Sequence, residues 1–194
     1  MNDIDKRLYD EFGKQVYRNK YDTKGEQARA AYKSEDLFEA SAFQYYGPVQ
    51  PATERENIEE HIDFHVTGLG SVDVKSAKSN ITDGLVWIEI QNVVGEDGWL
   101  YGSSKYIAFE FDDHFRLVPT DWLRIRVGDL TSKAREVTWK GDALYNHYTR
   151  KKYNRNDILT QVTAEDILFV TEETLPFCLE RDLQELLTKN RSKS

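Results

Sequence analysis

The chain of 194 residues is poor in several residue types that anchor common architectures. It has one cysteine, Cys178, which excludes an internal disulfide and a zinc cluster built from thiols. It has only four prolines, so long stretches are free to form regular elements. No apolar run approaches the roughly twenty residues needed to span a bilayer; the longest are stretches such as Ile167-Leu168-Phe169-Val170. The first ten residues alternate charge and hydrophobe and lack the pattern of a secretory signal. Positive charge is in deficit, with 26 Lys+Arg against 34 Asp+Glu and a formal net charge of −8, which argues against wrapping duplex DNA through bulk charge. Large side chains are plentiful: eleven Tyr, nine Phe and four Trp within 39 % apolar residues exclude disorder of the whole chain. Residues 1–194 are therefore expected to form one soluble, cytoplasmic domain with no membrane partner.

The local distribution of charge departs from the acidic mean. From Lys133 to Arg155 there are seven basic residues and two acids, Glu136 and Asp142, and a second basic zone runs from Met1 to Lys33. Ile4, Leu8, Phe12 and Val16 recur every four positions, and Thr23-Lys24-Gly25-Glu26 fits a capping box, so helices are expected over about 1–46. Ser34 is expected to cap a third short segment ending at Tyr46-Gly47-Pro48. From His61 the period changes to two. Ile62, Phe64 and Val66 face one way and His61, Asp63 and His65 the other; after the reversal Thr67–Ser71, Val72 and Val74 alternate with Asp73 and Lys75. Val86, Ile88 and Ile90 then alternate with Trp87, Glu89 and Gln91, which predicts a three-stranded antiparallel meander. Further strands are expected near 106–111, 115–118 and within 145–162, with a helix from Thr120 and a C-terminal helix over about 173–190. The fold class is α+β, a mixed sheet with helices covering one face.

The meander places Asp63, Asp73, Lys75, Glu89 and Gln91 on one polar face. A half-buried sheet always has a wet face, and solvated charges are one reading of these residues. The other reading is a cation site. Diagonal neighbours across a hairpin lie roughly 7–8 Å apart, which lets two short carboxylates converge on one ion. Two carboxylates so close repel unless a metal or a proton intervenes, and Mg²⁺ takes a few hard oxygen ligands while keeping several waters. Lys75, two residues after Asp73, shares that face and could orient a water or offset charge on a scissile phosphate; its alternative is a cross-strand ion pair.

Asp63, Asp73-Val74-Lys75 ten positions on, and Glu26 on an early helix together resemble the PD-(D/E)XK nuclease superfamily, with Ile62 in place of the proline of the family name. The pattern is most similar to Holliday junction resolvases and related phage endonucleases. The motif covers roughly residues 23–91, and Tyr148-Thr149-Arg150-Lys151-Lys152 with Asn156–Thr160 extends it loosely to about 168. The resemblance implies a restriction-endonuclease-like sheet and a divalent ion, Mg²⁺ or Mn²⁺, held by Glu26, Asp63 and Asp73, with Lys75 assisting hydrolysis. It further implies a metal-dependent DNA endonuclease, structure-selective for branched DNA, acting as a homodimer. An exonuclease or restriction-type enzyme on the same scaffold and a non-catalytic binding module for nucleic acid or protein are the alternatives.

Arg150, Lys151, Lys152 and Arg155 interleave with Tyr145, His147, Tyr148 and Tyr153, a pattern expected of a phosphate-tracking surface; a solvated charged turn competes with it. Trp99 and Tyr101, in the loop Gly95–Gly102, either press on exposed bases or fold onto the core. His61 and His65 stand four apart, but on a strand that spacing does not make a zinc pair. Cys178, flanked by Leu175 and Leu179, reads as a core residue.

Overall fold

The computed structural model describes residues 26–77, 81–82, 84–151 and 155–178. The architecture is α+β. In chain order the elements are α1 (Glu26–Tyr46), β1 (Val49–Pro51), α2 (Glu54–Glu59), β2 (Phe64–Val66), β3 (Gly70–Lys75), β4 (Ile81–Thr82), β5 (Leu85–Gln91), β6 (Tyr106–Glu110), β7 (His114–Pro119), α3 (Thr120–Leu130), β8 (Glu136–Val137), β9 (His147–Thr149), β10 (Ile158–Thr163), α4 (Ala164–Val170) and β11 (Glu173–Pro176). Two sheets result, six strands in the order β1-β2-β3-β6-β7-β11 and five in the order β4-β5-β10-β9-β8. Only β3–β6 and β8–β9 are parallel pairs among the named strands.

Each sheet follows from its alternation. Phe64 and Val66 of β2 and Val72 and Val74 of β3 turn the same way and are buried with Phe38 and Ala42 of α1, Ala108, Phe115, Leu117 and Leu175. A second core gathers Val86, Ile88 and Val162 of the five-stranded sheet with Ile107, Phe109 and Val118 of the six-stranded one, closed by Leu123 and Val127 of α3 and Ile167 of α4. β6 is thus buried on both faces, which is why Tyr106-Ile107-Ala108-Phe109 is a continuous apolar run rather than an alternating one.

Several expectations need correction. The third strand of the expected meander, β5, does not join β3; it pairs antiparallel with β10 in the other sheet, and the second neighbour of β3 is the parallel strand β6. Period-two patterning identifies a strand and its apolar side, whereas its partner depends on which apolar face completes the layer. Ser34 caps nothing: it is buried in the middle of one continuous helix, its hydroxyl donating to Glu110. Residues 173–176 form an edge strand on β7 rather than the start of a helix, Phe177 and Cys178 are not helical either, and the remainder of that expected helix from residue 179, like residues 1–25, lies outside the described residues. Cys178 is buried, as expected of a core residue.

Candidate active site

Asp73 and Lys75 share the face of β3 opposite Val72 and Val74. In the β3–β6 ladder Asp73 aligns with Ile107 and Lys75 with Phe109, so both point into the layer between the two sheets. The face that the sequence marks as wet is covered by the second sheet. Asp73 is only 2 % exposed, and the Lys75 side chain 15 %. Lys75 Nζ donates to Asp73 Oδ1 at 2.6 Å and lies 5.0 Å from the centroid of the buried Trp99 ring. The Asp73 carboxylate, one oxygen of which finds no N–H or hydroxyl donor, also meets the Asp63 carboxyl side chain to side chain, so two buried acids face each other and only a shared proton or a cation relieves their repulsion.

Asp63 precedes the Phe64↔Val72 pair, where the hairpin ladder ends. Its Oδ2 accepts from the Val74 N–H at 2.7 Å and its Oδ1 from Asn57 Nδ2 at 2.6 Å, so α2 and β3 fix the carboxyl from two sides. Burial, then the neighbouring Asp73 charge, push its pKa up to about 7. The third carboxyl is Glu35 of α1. Ser34, beside it, meets Glu110 at the end of β6, and the Ala77 N–H just past β3 donates to the same Glu110 oxygen at 2.9 Å. α1 therefore crosses the end of β3 at this height. Burial and the Asp63 charge raise Glu35 to about 8, against the opposing pull of Lys75. Burial raises Asp73 as well, partly countered by Lys75. Burial alone would depress the Lys75 ammonium, but Asp73, Asp63 and the Asp73 hydrogen bond outweigh it and leave its pKa raised.

Glu35 rather than Glu26 is thus the helical glutamate brought to the aspartates. Glu26 is the first residue of α1, nine residues earlier, or two and a half turns and roughly 13 Å along the axis. Glu35 was legible in principle: it falls three before Phe38 and seven before Ala42, a carboxylate on the apolar stripe of its helix.

Two further groups border the cluster. Glu89 of β5 is raised by burial, and Lys75 and a hydrogen bond from the Trp99 N–H oppose that shift. His61, with a left-handed φ of 53°, is lowered by burial and by the Lys75 charge. The loop 95–102 clamps both. A Cβ on Gly98 would come within 2.5 Å of the Glu89 carbonyl oxygen, and one on Gly102 within 2.6 Å of His61 Cβ, so the backbone approaches too closely there for any side chain. Trp99 is buried and Tyr101 is 49 % exposed. Gln91 is remote from the cluster in bonding, donating to the Asn156 carbonyl at 2.6 Å. His65 bonds Glu56 at 3.0 Å and does not pair with His61.

The late basic residues are largely engaged within the chain. Arg150 and Arg155 share the carboxylate of Asp157, whose side chain is fully buried, and Lys151 reaches Glu136 at 2.8 Å. Lys152 lies outside the described residues. One carboxylate for two guanidiniums leaves that trio with a net positive charge, and it is close enough to the cluster that Asp157 and Arg150 both act on Glu89.

Among the described residues no three His, Cys, Asp or Glu side chains are gathered tightly enough to hold a metal ion by themselves, and no helix is long and apolar enough to cross a membrane. Comparison of the chain with family models, with curated proteins and with solved structures gave no match.

Proposed function

We propose that this protein is a divalent-metal-dependent DNA nuclease that hydrolyses phosphodiester bonds. The observation that carries the reading is the convergence of the Asp63 and Asp73 carboxyls and the Lys75 ammonium, with Glu35 beside them, on one buried site. The donor set fits a hard cation such as Mg²⁺ or Mn²⁺, which needs only one or two carboxylates when water and substrate phosphate complete its shell. Asp73 and Asp63 would hold it, with Glu35 close enough to act on their charges but not as a third ligand. Bound there, the ion would supply a water of lowered pKa and charge compensation at the phosphate.

The chain's own residues define the rest. Glu35 and Asp63, raised to about 8 and 7, carry protons near neutral pH when no cation is present, so cation binding would displace protons and strengthen as pH rises. Lys75 remains an ammonium throughout that range. Its Nζ, fixed by Asp73 Oδ1 and the Trp99 ring, would donate a hydrogen bond to the attacking water or a phosphate oxygen. Asn57 and the Val74 N–H hold Asp63 in place and thereby set the orientation of its carboxylate. Arg150, beside Glu89, would contact the neighbouring phosphate.

Cleavage of a four-way junction, a linear duplex and a single strand in Mg²⁺ or Mn²⁺ tests the reading. Paired cuts in the junction point to a resolvase-like endonuclease working as a homodimer; shortening from ends points to an exonuclease. Binding that persists without any cutting would favour a non-catalytic module, a reading for which the closed Asp73–Lys75 ion pair speaks.

A further inference from the structure

Beside the hydrolytic cluster, the five-stranded sheet carries a row of rings and cations that the chemistry above leaves unused. Val86 and Ile88 of β5 face the second core, so Trp87 and Glu89 share the other side of that strand. On β9 Tyr148 precedes the buried Thr149, and Arg150 follows just past the end of the strand. β5 and β9 both run antiparallel to β10, and hence parallel to each other. The Trp87 and Tyr148 rings meet at 5.7 Å between centroids, tilted by 49°. Lys140 Nζ lies 5.6 Å from the Trp87 ring centroid; among the described residues it makes no ion pair. The neighbouring Trp139 is 69 % exposed, its indole laid over Gly141, where a Cβ would come to 2.6 Å of the ring. Along β5, Trp87 stands only two residues, roughly 7 Å, from Glu89, the carboxyl whose charge acts on Lys75.

Building on the nuclease reading, we propose that this strip binds an unpaired segment of nucleic acid, its bases stacking on Trp139, Trp87 and Tyr148 and its phosphates meeting Lys140 and Arg150. In a duplex the faces of the bases are covered by their neighbours, leaving backbone and groove edges for a protein to touch. An exposed Trp139 beside the half-buried Trp87 and Tyr148, interleaved with cations, suits a strand whose bases are splayed. Charge favours the same occupant. The strip belongs to the stretch Lys133–Arg155, with seven bases against two acids in a chain of net charge −8, and the Arg150–Arg155–Asp157 trio beside it keeps a net positive charge, which favours an anion.

The test is fluorescence anisotropy of the full-length protein in EDTA, where no cleavage occurs, with a labelled oligo-dT of about twenty nucleotides and a duplex of equal length. The wild type is expected to prefer the single strand. Trp139→Ala, at an exposed position that does not threaten the core, and Trp87→Ala should each weaken single-strand binding roughly tenfold and leave duplex binding unchanged. Trp87→Phe, which keeps a stacking ring, should retain most of the affinity and guards against a folding defect in the alanine variant. Lys140→Glu should lower the salt slope by about one. No preference for the single strand, or unchanged affinity when Trp139 and Trp87 are both replaced in a folded protein, would overturn the proposal. Lys75→Met is the separate arm: lost cleavage with single-strand binding intact supports both readings. A wild type that cuts nothing in Mg²⁺ yet binds the single strand through Trp139 supports the strip and refutes the nuclease.

Discussion

Replacing Glu35 by glutamine should remove much of the alkaline instability of the metal-free protein. In the fold the Glu35 carboxyl titrates at about 8, against an ordinary value of 4.5, because it is buried beside the Asp63 charge. Between those two values the folded protein holds a proton that the unfolded chain has already released. Stability is therefore greatest below about 4.5 and falls as pH rises through 8, beyond which both states are ionised and the loss is complete. Each pH unit of that interval is worth about 1.4 kcal/mol, an upper bound near 5 kcal/mol. Glu35 is partly exposed, and Lys75 opposes its shift, so about half of that bound, 2–3 kcal/mol, is the working magnitude. For a chain of this length it corresponds to roughly 5–10 °C in Tm. Glutamine keeps the shape and cannot ionise. Thermal melts in EDTA from pH 5 to pH 9 should show the two proteins converging at the acid end and the variant melting later at the alkaline end. Parallel curves across the whole range would refute the placement of Glu35 in the cluster.

Lys75→Met and Asp73→Asn should each abolish metal-dependent cleavage while circular dichroism and DNA binding remain close to wild type; full activity in either variant removes the catalytic assignment. Mn²⁺ at pH 8 should raise the Tm of the wild type, by about 2.7 kcal/mol of stabilisation at a hundred times its Kd, and should leave Asp73→Asn unmoved in a calorimetric scan. Gly102→Ala should cost roughly 1–3 kcal/mol in urea unfolding, since its Cβ would strike His61 and the Glu60 carbonyl. Phe38→Ala, which empties the centre of the contact between α1 and the six-stranded sheet, should cost about 3–5 kcal/mol by the same measurement.

The pattern of residues announced most of the individual strands and the polar groups on them, and very little of their assembly. Ile62, Phe64, Val66, Val72 and Val74 alternate as expected and are all buried, because one apolar side per strand is a local property. That Asp73 is buried as well is not local: it depends on the second sheet closing over the other side of β3, through a β5–β10 pairing that joins residues some seventy positions apart. Glu26 drew attention as the early helical glutamate of the family pattern, and its fit to a capping box is an effect confined to one helical turn. Glu35 gains its role from where α1 crosses the end of β3, which only the tertiary contact decides. The basic residues between 150 and 155 are visible as composition, whereas the buried Asp157 that claims Arg150 and Arg155 comes after them in the chain and carries no signal of its burial.

β3 is an inner strand, flanked by the β2 hairpin partner on one side and by the doubly covered β6 on the other. Beyond Val72 the β2 ladder stops, and the Val74 amide is held by the Asp63 carboxyl while Asp73 and Lys75 stay registered on β6, so these protons exchange slowly only while both the β6 ladder and the Asp63 contact persist. The durability of the spacing between ammonium and carboxylate is consequently tied to Asp63: Asp63→Ala should speed exchange of the Val74 amide ahead of global unfolding.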